Sequence, residues 1–321
     1  MPKVSIVIPI YNVKDYMSAS VQSAVDQTEP EIEIILVDDG STDGSQRLCD
    51  QYAEMDSRIT VIHKVNGGLS SARNAGVAAA KAPYILLLDG DDYLHERAVE
   101  RLLEISSRHP SDIVQFQYTE VPEVVKLPEL VEAKVEAQAN TAEEAFRYLY
   151  RWGGVCASGC TKLFRKQLLE EIPFESIRHE DEMWCTRAFP RNLKITYIPD
   201  VLYGYVIRSG SIIHSSFNRH KLNSFTISEE RLKILQFLKL DDLVSCEFRK
   251  LFCIILSLYN EAKNANDQVS VTEIHNLFEK RKNEIKRYAQ LQGKFRWIFH
   301  LMCWNFAAAD VYRVYWKMKG L

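Results

Sequence analysis

Three aspartates lie within the run Asp89-Gly90-Asp91-Asp92, directly after an apolar stretch from Tyr84 to Leu88. Carboxylates one residue apart at the end of a strand can converge on one Mg²⁺ or Mn²⁺ ion. These cations take oxygen ligands and often draw the remaining ones from substrate phosphates and water. A cation held there would bridge a diphosphate and neutralise the charge that develops as it leaves. The alternative for an isolated acidic run is a solvated turn that precedes a helix.

A second acidic pair, Asp38-Asp39, ends another apolar run, from Glu33 to Val37. Like charges gathered in one place cost stability unless a cation is present, so the two acidic runs together favour a metal site. The Asp39 carboxylate could also accept the imide N–H of a uracil ring on which Tyr11 stacks. The alternatives are that Asp39 caps a helix beginning near Ser41 and that Tyr11 is an ordinary buried residue.

A glycine-containing segment runs from Asn66 to Gly76, with Gly67-Gly68 near its start and Arg73 further along. Glycines let the backbone approach a ligand closely, and the N-terminus of a following helix attracts negative charge. Arg73 could hold a phosphate or orient a carboxylate of the acidic cluster. The alternative is a plain loop followed by a helix with a surface arginine. The spacing matches neither the P-loop nor the dinucleotide-binding pattern of glycines.

The first third of the chain alternates strand and helix patterns that would position these segments. Predicted strands occupy residues 4–8, 33–37, 59–63 and 84–88, and predicted helices occupy 15–27, 41–54 and 70–82. Such alternation predicts an α/β fold with a mostly parallel, Rossmann-like sheet and flanking helices. Ligands of these sheets bind beyond the carboxyl ends of the strands. The segments that follow those ends are 9–12, 38–39, 64–68 and 89–92.

The remainder of the chain is less regular and then becomes helical. Residues 121–139 are rich in Pro, Glu and Val and indicate a loop or insertion, whereas residues 141–152 have helical spacing. Beyond residue 217 the pattern is almost wholly helical. We therefore divide the chain into residues 1–110, residues 111–216 and a helical C-terminal region (217–321).

Bulk composition limits the class of protein. The chain has 321 residues, 46% of them hydrophobic, and a formal net charge of −3. This balance does not indicate a nucleic-acid-binding protein, which usually has a strongly basic domain. The seven cysteines lack zinc-site spacing and are typical of reduced thiols in a cytoplasmic protein. We expect no signal peptide, and no apolar run reaches the roughly 18 residues of a spanning helix.

The segments 4–12, 33–43, 66–76 and 88–92 together resemble the family 2 glycosyltransferases in order and spacing. The resemblance covers about the first 100 residues and implies a GT-A fold and inversion at the anomeric carbon. It implies that residues 1–110 are the nucleotide-sugar-binding part of this domain and residues 111–216 its acceptor-side part. It also implies that Asp39 binds the base, that Asp89 lies near the ribose and metal, and that Asp91 is the leading metal ligand. Asp92 would be an auxiliary acid and Asp38 a supporting one. The residues expected to bind the donor are Pro9, Tyr11, Asn12, Asp39, Asn66, Gly67, Arg73, Asp89 and Gly90.

The resemblance continues more weakly at His179-Glu180-Asp181-Glu182, which is similar to the Glu-Asp catalytic segment of the family. An inverting transfer needs one base to deprotonate the acceptor hydroxyl as it attacks opposite the leaving phosphate. Asp181 is our candidate base and Glu180 the second candidate. The alternative is that these acids stand at a helix N-terminus because its dipole favours them. The small residues between Ser158 and Lys162 suit either the acceptor side or close packing.

The segment from Tyr205 to His214 resembles one that follows the catalytic domain in many bacterial members of the family. By this resemblance Arg208 and His214 could approach the diphosphate or the metal when a loop closes, and His214 is a candidate metal ligand beside Asp89 and Asp91. The alternative is a structural arginine and a surface histidine.

The C-terminal region is locally basic and aromatic. From residue 280 onward it carries ten basic and two acidic residues, a net charge of +8. Aromatic side chains interleaved with Lys and Arg suit an interface with anionic lipid headgroups. The alternative is a helical stripe that packs on its own protein or on a second copy. The aromatic residues at helical spacing are Trp297, Trp304 and Tyr315.

These observations predict a metal-dependent, inverting glycosyltransferase that uses a UDP-sugar and Mn²⁺ or Mg²⁺. The acceptor would be a glycan, a lipid-linked or a protein-linked group, and the enzyme would be cytoplasmic, with peripheral contact at the inner face of the membrane as one possibility. One rival is a sugar nucleotidyltransferase, which also uses acids, metal and a related sheet. The other is a non-catalytic subunit of a glycosylation complex that keeps the fold for partner contacts.

Overall fold

The computed structural model describes residues 1–132, 134–152, 154–208 and 217–309. The chain divides into two compact units, residues 1–209 and 210–321. The predicted boundary at residue 110 lies inside the first unit, within one continuous sheet. None of the described helices is both long enough and apolar enough to cross a lipid bilayer.

The first unit alternates strands and helices along its N-terminal half. Its first elements are β1 (Val4–Ile10), α1 (Met17–Val25), β2 (Ile32–Asp38), α2 (Ser45–Met55), β3 (Ile59–His63), α3 (Leu69–Ala79), β4 (Tyr84–Leu87), β5 (Tyr93–Leu94) and α4 (Ala98–Arg108). The elements that follow are β6 (Ile113–Val121), β7 (Ala137–Ala139), α5 (Ala142–Trp152), α6 (Gly154–Ala157), β8 (Lys162–Arg165), α7 (Lys166–Glu171), α8 (Glu180–Ala188) and β9 (Ile195–Val206).

All described strands of this unit form one sheet, in the order β3-β2-β1-β4-β8-β6-β9-β5, with β7 paired to β9. The first four strands of that order are parallel, while β8 runs antiparallel to both β4 and β6. All seven residues of β1 are buried, as expected for a central strand covered on both faces. The prediction of an α/β fold with a mostly parallel sheet and flanking helices is confirmed.

The register of the parallel strands brings the predicted site segments to one edge. Ile10 pairs with Asp38, and Asp38 pairs with His63, at the carboxyl ends of β1, β2 and β3. Val7 pairs with Leu87 at the end of β4. The loops that leave these strands therefore start side by side, which is the arrangement that the sequence predicted.

Two local predictions are wrong. Helix α2 begins at Ser45, not near Ser41, because the side chains of Asp38, at the end of β2, and Asn12, in the loop after β1, hold the intervening backbone. The Ser41 N–H donates to Asp38 Oδ1 (2.9 Å) and the Thr42 N–H donates to Asn12 Oδ1 (2.8 Å). Residues 121–139 are not a loop throughout, since β6 extends to Val121 and β7 pairs with β9.

The second unit is helical, as predicted. Its helices are α9 (Asn223–Phe237), α10 (Asp241–Asn264), α11 (Gln268–Tyr288) and α12 (Gly293–Trp304). Asp267 begins α11 as its N-cap, with its side chain accepting the Ser270 N–H (3.0 Å). The core includes Phe299, whose ring meets Phe252 and Phe278 at centroid distances of 5.5 and 5.9 Å.

Candidate active site

Asp39 lies just beyond the end of β2 and is almost fully buried. Its Oδ1 atom accepts the Gly67 N–H (3.0 Å) and the Lys64 ammonium (2.5 Å), and its Oδ2 atom accepts the Gly68 N–H (2.7 Å). Asp39 does not cap α2, so that alternative is wrong. The lysine and two backbone donors compensate the buried charge, which would otherwise be costly. We name Asp39, Lys64, Gly67 and Gly68 the base-side cluster.

Glycine is required where the loops of this cluster approach each other. Gly40 has a φ of +76°, and a Cβ there would lie 2.9 Å from the Asn66 backbone nitrogen. Gly68 has a φ of +84° and immediately precedes helix α3. The predicted donor contacts Asn66 and Gly67 therefore lie beside Asp39, on an exposed loop.

Tyr11 and Asn12 lie on the adjoining loop after β1. Tyr11 is 51% exposed, so it is not an ordinary buried residue. Asn12 has a left-handed φ of 51°, and its backbone N–H donates to Ser41 Oγ (3.2 Å). Asn12 thus ties the loop after β1 to the loop after β2 and leaves the Tyr11 ring accessible beside it.

Pro9 and Gly90, also predicted to contact the donor, are buried and lie against each other. A Cβ on Gly90 would stand 2.9 Å from the Pro9 carbonyl oxygen. The structure therefore places both in the packed base of this edge, where Gly90 permits a close approach of two chain segments.

Arg73 is buried among acidic side chains from two segments, the loop after β4 and the first turn of α8. Its Nη1 atom donates to Glu180 Oε1 (2.9 Å) and Asp181 Oδ1 (2.8 Å), and its Nη2 atom donates to Asp89 Oδ1 (2.9 Å). Burial alone would lower the pKa of Arg73, but the carboxylates of Asp181 and Asp89 raise it well above its ordinary value. The sequence left open whether Arg73 holds a phosphate or orients a carboxylate, and this geometry matches the second role. We name Arg73, Asp89, Glu180 and Asp181 the arginine cluster.

The arginine cluster contains more negative than positive charge. Burial, reinforced by Asp181 and opposed by Arg73, raises the pKa of Glu180 to about 7. The folded protein therefore holds a proton on Glu180 at a pH where an exposed glutamate would be ionised. Protonation of this side chain relieves part of the repulsion among the three acids.

Asp181 is also fixed from a second direction. Its Oδ2 atom accepts the Gly159 N–H (2.9 Å), while a Cβ on Gly159 would lie 2.9 Å from Asp181 Oδ1. Gly159 was not among the predicted site residues. The signal that could have identified it was the small-residue segment 158–162, which the sequence assigned to either the acceptor side or packing.

Asp92, expected to be an auxiliary acid, bonds to strand β9 through both of its carboxylate oxygens. Its Oδ2 atom accepts the Tyr203 hydroxyl (2.6 Å), and its Oδ1 atom accepts the Val206 N–H (2.8 Å). Burial, with Asp89 and Asp91 adding to it, raises the pKa of Asp92 to about 8. This carboxyl group joins the start of β5 to β9.

Asp91 pairs with Arg208, whose guanidinium carbon also lies 4.8 Å from the centroid of the Tyr16 ring. Burial raises the pKa of Asp91, Asp89 raises it further, and Arg208 opposes both. The repulsion between the two partly exposed carboxylates is the kind that a bound cation relieves. His214, the third predicted metal ligand, lies outside the described residues.

Within the described ranges, no group of three or more His, Cys, Asp or Glu side chains is arranged to hold a metal ion. Mg²⁺ and Mn²⁺ do not require such a group, since one or two carboxylates suffice when substrate phosphates supply the other ligands. Among the described residues, the partly exposed carboxylates of Asp89 and Asp91 could supply those one or two ligands, and each of them also pairs with an arginine.

His63, which sequence reasoning missed, supports the base side through Asp38. Its Nδ1 atom lies 2.9 Å from Asp38 Oδ2 and its Nε2 atom lies 3.0 Å from Asp50 Oδ1. The hydrogen bond with Asp38, followed by that with Asp50, raises the pKa of His63. The feature that could have identified His63 from the sequence is its position at the end of the third predicted strand, level with Asp38 at the end of the second.

Comparison with known proteins identifies the family of the chain. Residues 5–173 match the family model described as glycosyl transferase family 2. The glycosyltransferase GlyG of Streptococcus pneumoniae serotype 4 is 34% identical over 224 residues, which cover 67% of this chain and 74% of GlyG. The uncharacterized glycosyltransferase EpsJ of Bacillus subtilis is 36% identical over 223 residues, which cover 64% of this chain and 61% of EpsJ.

The fold is also that of a solved structure. The crystal structure of residues 1–349 of S. aureus TarS in complex with UDP-GlcNAc superimposes with a TM-score of 0.72 at 20% identity. The match covers 99% of this chain and 92% of the TarS chain. The family model covers more than half of the chain, and the chain belongs to glycosyl transferase family 2.

Proposed function

We propose that this protein is an inverting glycosyltransferase that moves a sugar from a UDP-sugar onto a glycan, a lipid-linked or a protein-linked acceptor. The observation that carries the proposal is the arginine cluster, in which carboxylates from residues 89 and 180–181 meet on one buried guanidinium. Such a group offers an acid–base residue beside a candidate metal ligand, which is what transfer from a nucleotide diphosphate requires.

A uracil base is the best match to the base-side cluster. A carboxylate has about four lone-pair sites, and three of those on Asp39 are used by Lys64, Gly67 and Gly68. One site remains to accept the imide N–H of uracil, while the exposed Tyr11 ring is available for stacking. The UDP and UDP-GlcNAc complexes of TarS, a protein of the same fold, support the choice of donor.

Asp181 is the proposed base. One of its oxygens is held by Arg73 and the other by the Gly159 N–H, so the carboxylate is fixed while lone pairs remain for an acceptor hydroxyl. It would take the hydroxyl proton as the oxygen attacks opposite the leaving phosphate. Arg73 balances the charge on Asp181, whose side chain is 21% exposed and so can contact an acceptor.

Asp89 and Asp91 are the proposed ligands of Mn²⁺ or Mg²⁺, with His214 as a further candidate. The cation would neutralise charge on the leaving diphosphate. The guanidinium of Arg208 engages the Oδ2 atom of Asp91, which leaves the Oδ1 atom for a cation.

A donor-hydrolysis screen tests the proposed function. The protein is incubated with UDP-, GDP- and dTDP-sugars, with Mn²⁺ or with EDTA, and the released nucleoside diphosphate is measured. We expect release from a UDP-sugar that depends on the metal and is lost in Asp91→Asn. The proposal would fail if no sugar nucleotide were hydrolysed, or if the protein required a nucleoside triphosphate and released pyrophosphate.

A further inference from the structure

Helix α12 exposes two tryptophans on the side that does not pack within its own unit. Ile298, Phe299 and Met302 are buried, whereas Trp297 is 56% exposed and Trp304 is 87% exposed. Residues 297 and 304 are seven positions apart, so their side chains share one face of the helix, about two turns from each other. Exposure of two large aromatic side chains to water is unfavourable, so we expect this face of α12 to bind a partner.

The surroundings of these tryptophans are basic. Residues 285–309 include four basic and no acidic side chains, namely Lys286, Arg287, Lys294 and Arg296, and all four belong to α11 or α12. Burial raises the pKa of the exposed-face thiol of Cys303, but Lys282 and Lys286 oppose that rise, while Glu279 adds to it. Lys282 and Lys286 of α11 therefore lie near Cys303, together with Glu279, which pairs with Lys282. Lys294 and Arg296 lie on α12 itself, within three residues of Trp297.

We infer that this face of α12 binds an anionic membrane surface, with Trp297 and Trp304 in the interfacial layer and the basic side chains at the headgroups. Tryptophan favours that layer because its ring is apolar and its N–H remains hydrated. Lys and Arg are attracted to anionic lipids by the surface potential. The helix has 12 residues, so it lies on the surface and does not span it.

A second copy of the chain is a poorer occupant of this face. A twofold dimer would place the same basic groups opposite each other, and like charges in contact are unfavourable. An anionic lipid surface satisfies both the apolar tryptophans and the surrounding positive charge. It would also hold the enzyme beside a lipid-linked acceptor, independently of which sugar is transferred.

Vesicle co-sedimentation of the full chain tests this inference. Vesicles of phosphatidylcholine alone are compared with vesicles of phosphatidylglycerol and phosphatidylcholine in roughly equal amounts, which carry a strongly negative surface. We expect binding to the anionic vesicles that weakens as salt is raised, with a blue shift of tryptophan emission. The Trp297→Ser/Trp304→Ser double variant should partition at least about tenfold more weakly.

A matched control removes another exposed aromatic residue from the same unit. Phe237, at the end of α9, is 85% exposed, and Phe237→Ser should bind vesicles as the unchanged protein does. The inference would be overturned if the double variant bound anionic vesicles as strongly as the unchanged protein, or if binding did not depend on lipid charge. It would also be overturned if the unchanged protein were a dimer that failed to bind vesicles and the double variant were a monomer. Donor hydrolysis should be unaltered in the double variant, so failure here is separable from failure of the proposed function.

Discussion

Asp39 and Asp181 are both largely buried carboxylates in the first unit, yet their charges are compensated in different ways. Asp39 accepts hydrogen bonds from the backbone N–H groups of Gly67 and Gly68 and pairs with the Lys64 ammonium. Asp181 shares one buried cation, Arg73, with Asp89 and Glu180. A change at the base side should therefore have a local effect, whereas a change at Arg73 should disturb three acids at once.

The largest effect is expected from Arg73→Gln. Removing one partner of a buried ionic group leaves the others uncompensated and typically costs about 3–5 kcal/mol. We expect a loss of that order in the free energy of unfolding, measured by urea denaturation, and the loss of sugar transfer. Arg101 provides the matched control, because it is another buried arginine of the same unit and pairs with Asp200 at 2.8 Å. Arg101→Gln should destabilise the protein yet leave transfer by the folded fraction intact.

The next largest effect is expected from Asp181→Asn, which should lower the rate of transfer without lowering stability. Asp181→Asn keeps the size of the side chain but removes the proton acceptor, so transfer should fall by about 10²–10⁴-fold. The melting temperature should change little by comparison with Arg73→Gln. The measurement is the initial rate with a saturating donor, and Glu170→Gln on α7 serves as the control. Unchanged turnover in Asp181→Asn would remove this residue from the mechanism.

Gly159→Ala tests whether the position of Asp181 matters. The added Cβ would stand 2.9 Å from Asp181 Oδ1 and must displace the carboxylate. A displacement of about 1 Å can cost up to roughly 100-fold in rate, so we expect kcat to fall while the KM for the donor stays constant. Ser158→Ala, one residue earlier, should behave as the unchanged protein. A rise in donor KM with constant kcat would instead place Gly159 on the donor side.

The smallest effect concerns pH. Because burial raises the pKa of Glu180 from its ordinary 4.5 to about 7, the folded state binds this proton more tightly than the unfolded state. The contribution of Glu180 to stability is thus fully present below about pH 4.5 and declines as the pH rises toward 7. Glu180→Gln should flatten the decline in the free energy of unfolding across that interval. An identical pH dependence in both proteins would show that Glu180 ionises normally.

Sequence reasoning succeeded where the relevant information is local. The apolar runs predicted the parallel strands, and the order of the strand ends was enough to predict that Asp39, Asn66 and Asp89 lie at one edge of the sheet. The start of α2 was misjudged because Asn12, about 30 residues away, holds the Thr42 N–H. Side chains of distant loops decide such details, and local propensity does not contain them.

The contacts of the arginine cluster could not be predicted for the same reason. Arg73 is separated from Glu180 and Asp181 by more than 100 residues, and the sequence left open whether it would hold a phosphate or a carboxylate. Gly159 and Lys64 were missed because each acts through a single hydrogen bond or ion pair to an acid of another loop. Motifs indicated which acids matter, while the partners that fix them depend on tertiary structure.

The affinities of Asp39→Asn and Asp181→Asn for UDP, measured side by side by calorimetry, test the account most directly. Asp39→Asn should bind UDP at least about tenfold more weakly, because a hydrogen bond to a charged group is lost. Asp181→Asn should bind UDP as the unchanged protein does, since we propose that this carboxylate acts on the acceptor. Equal affinities in all three proteins, or an equal loss in both variants, would contradict the assignment of the two carboxylates to different halves of the reaction.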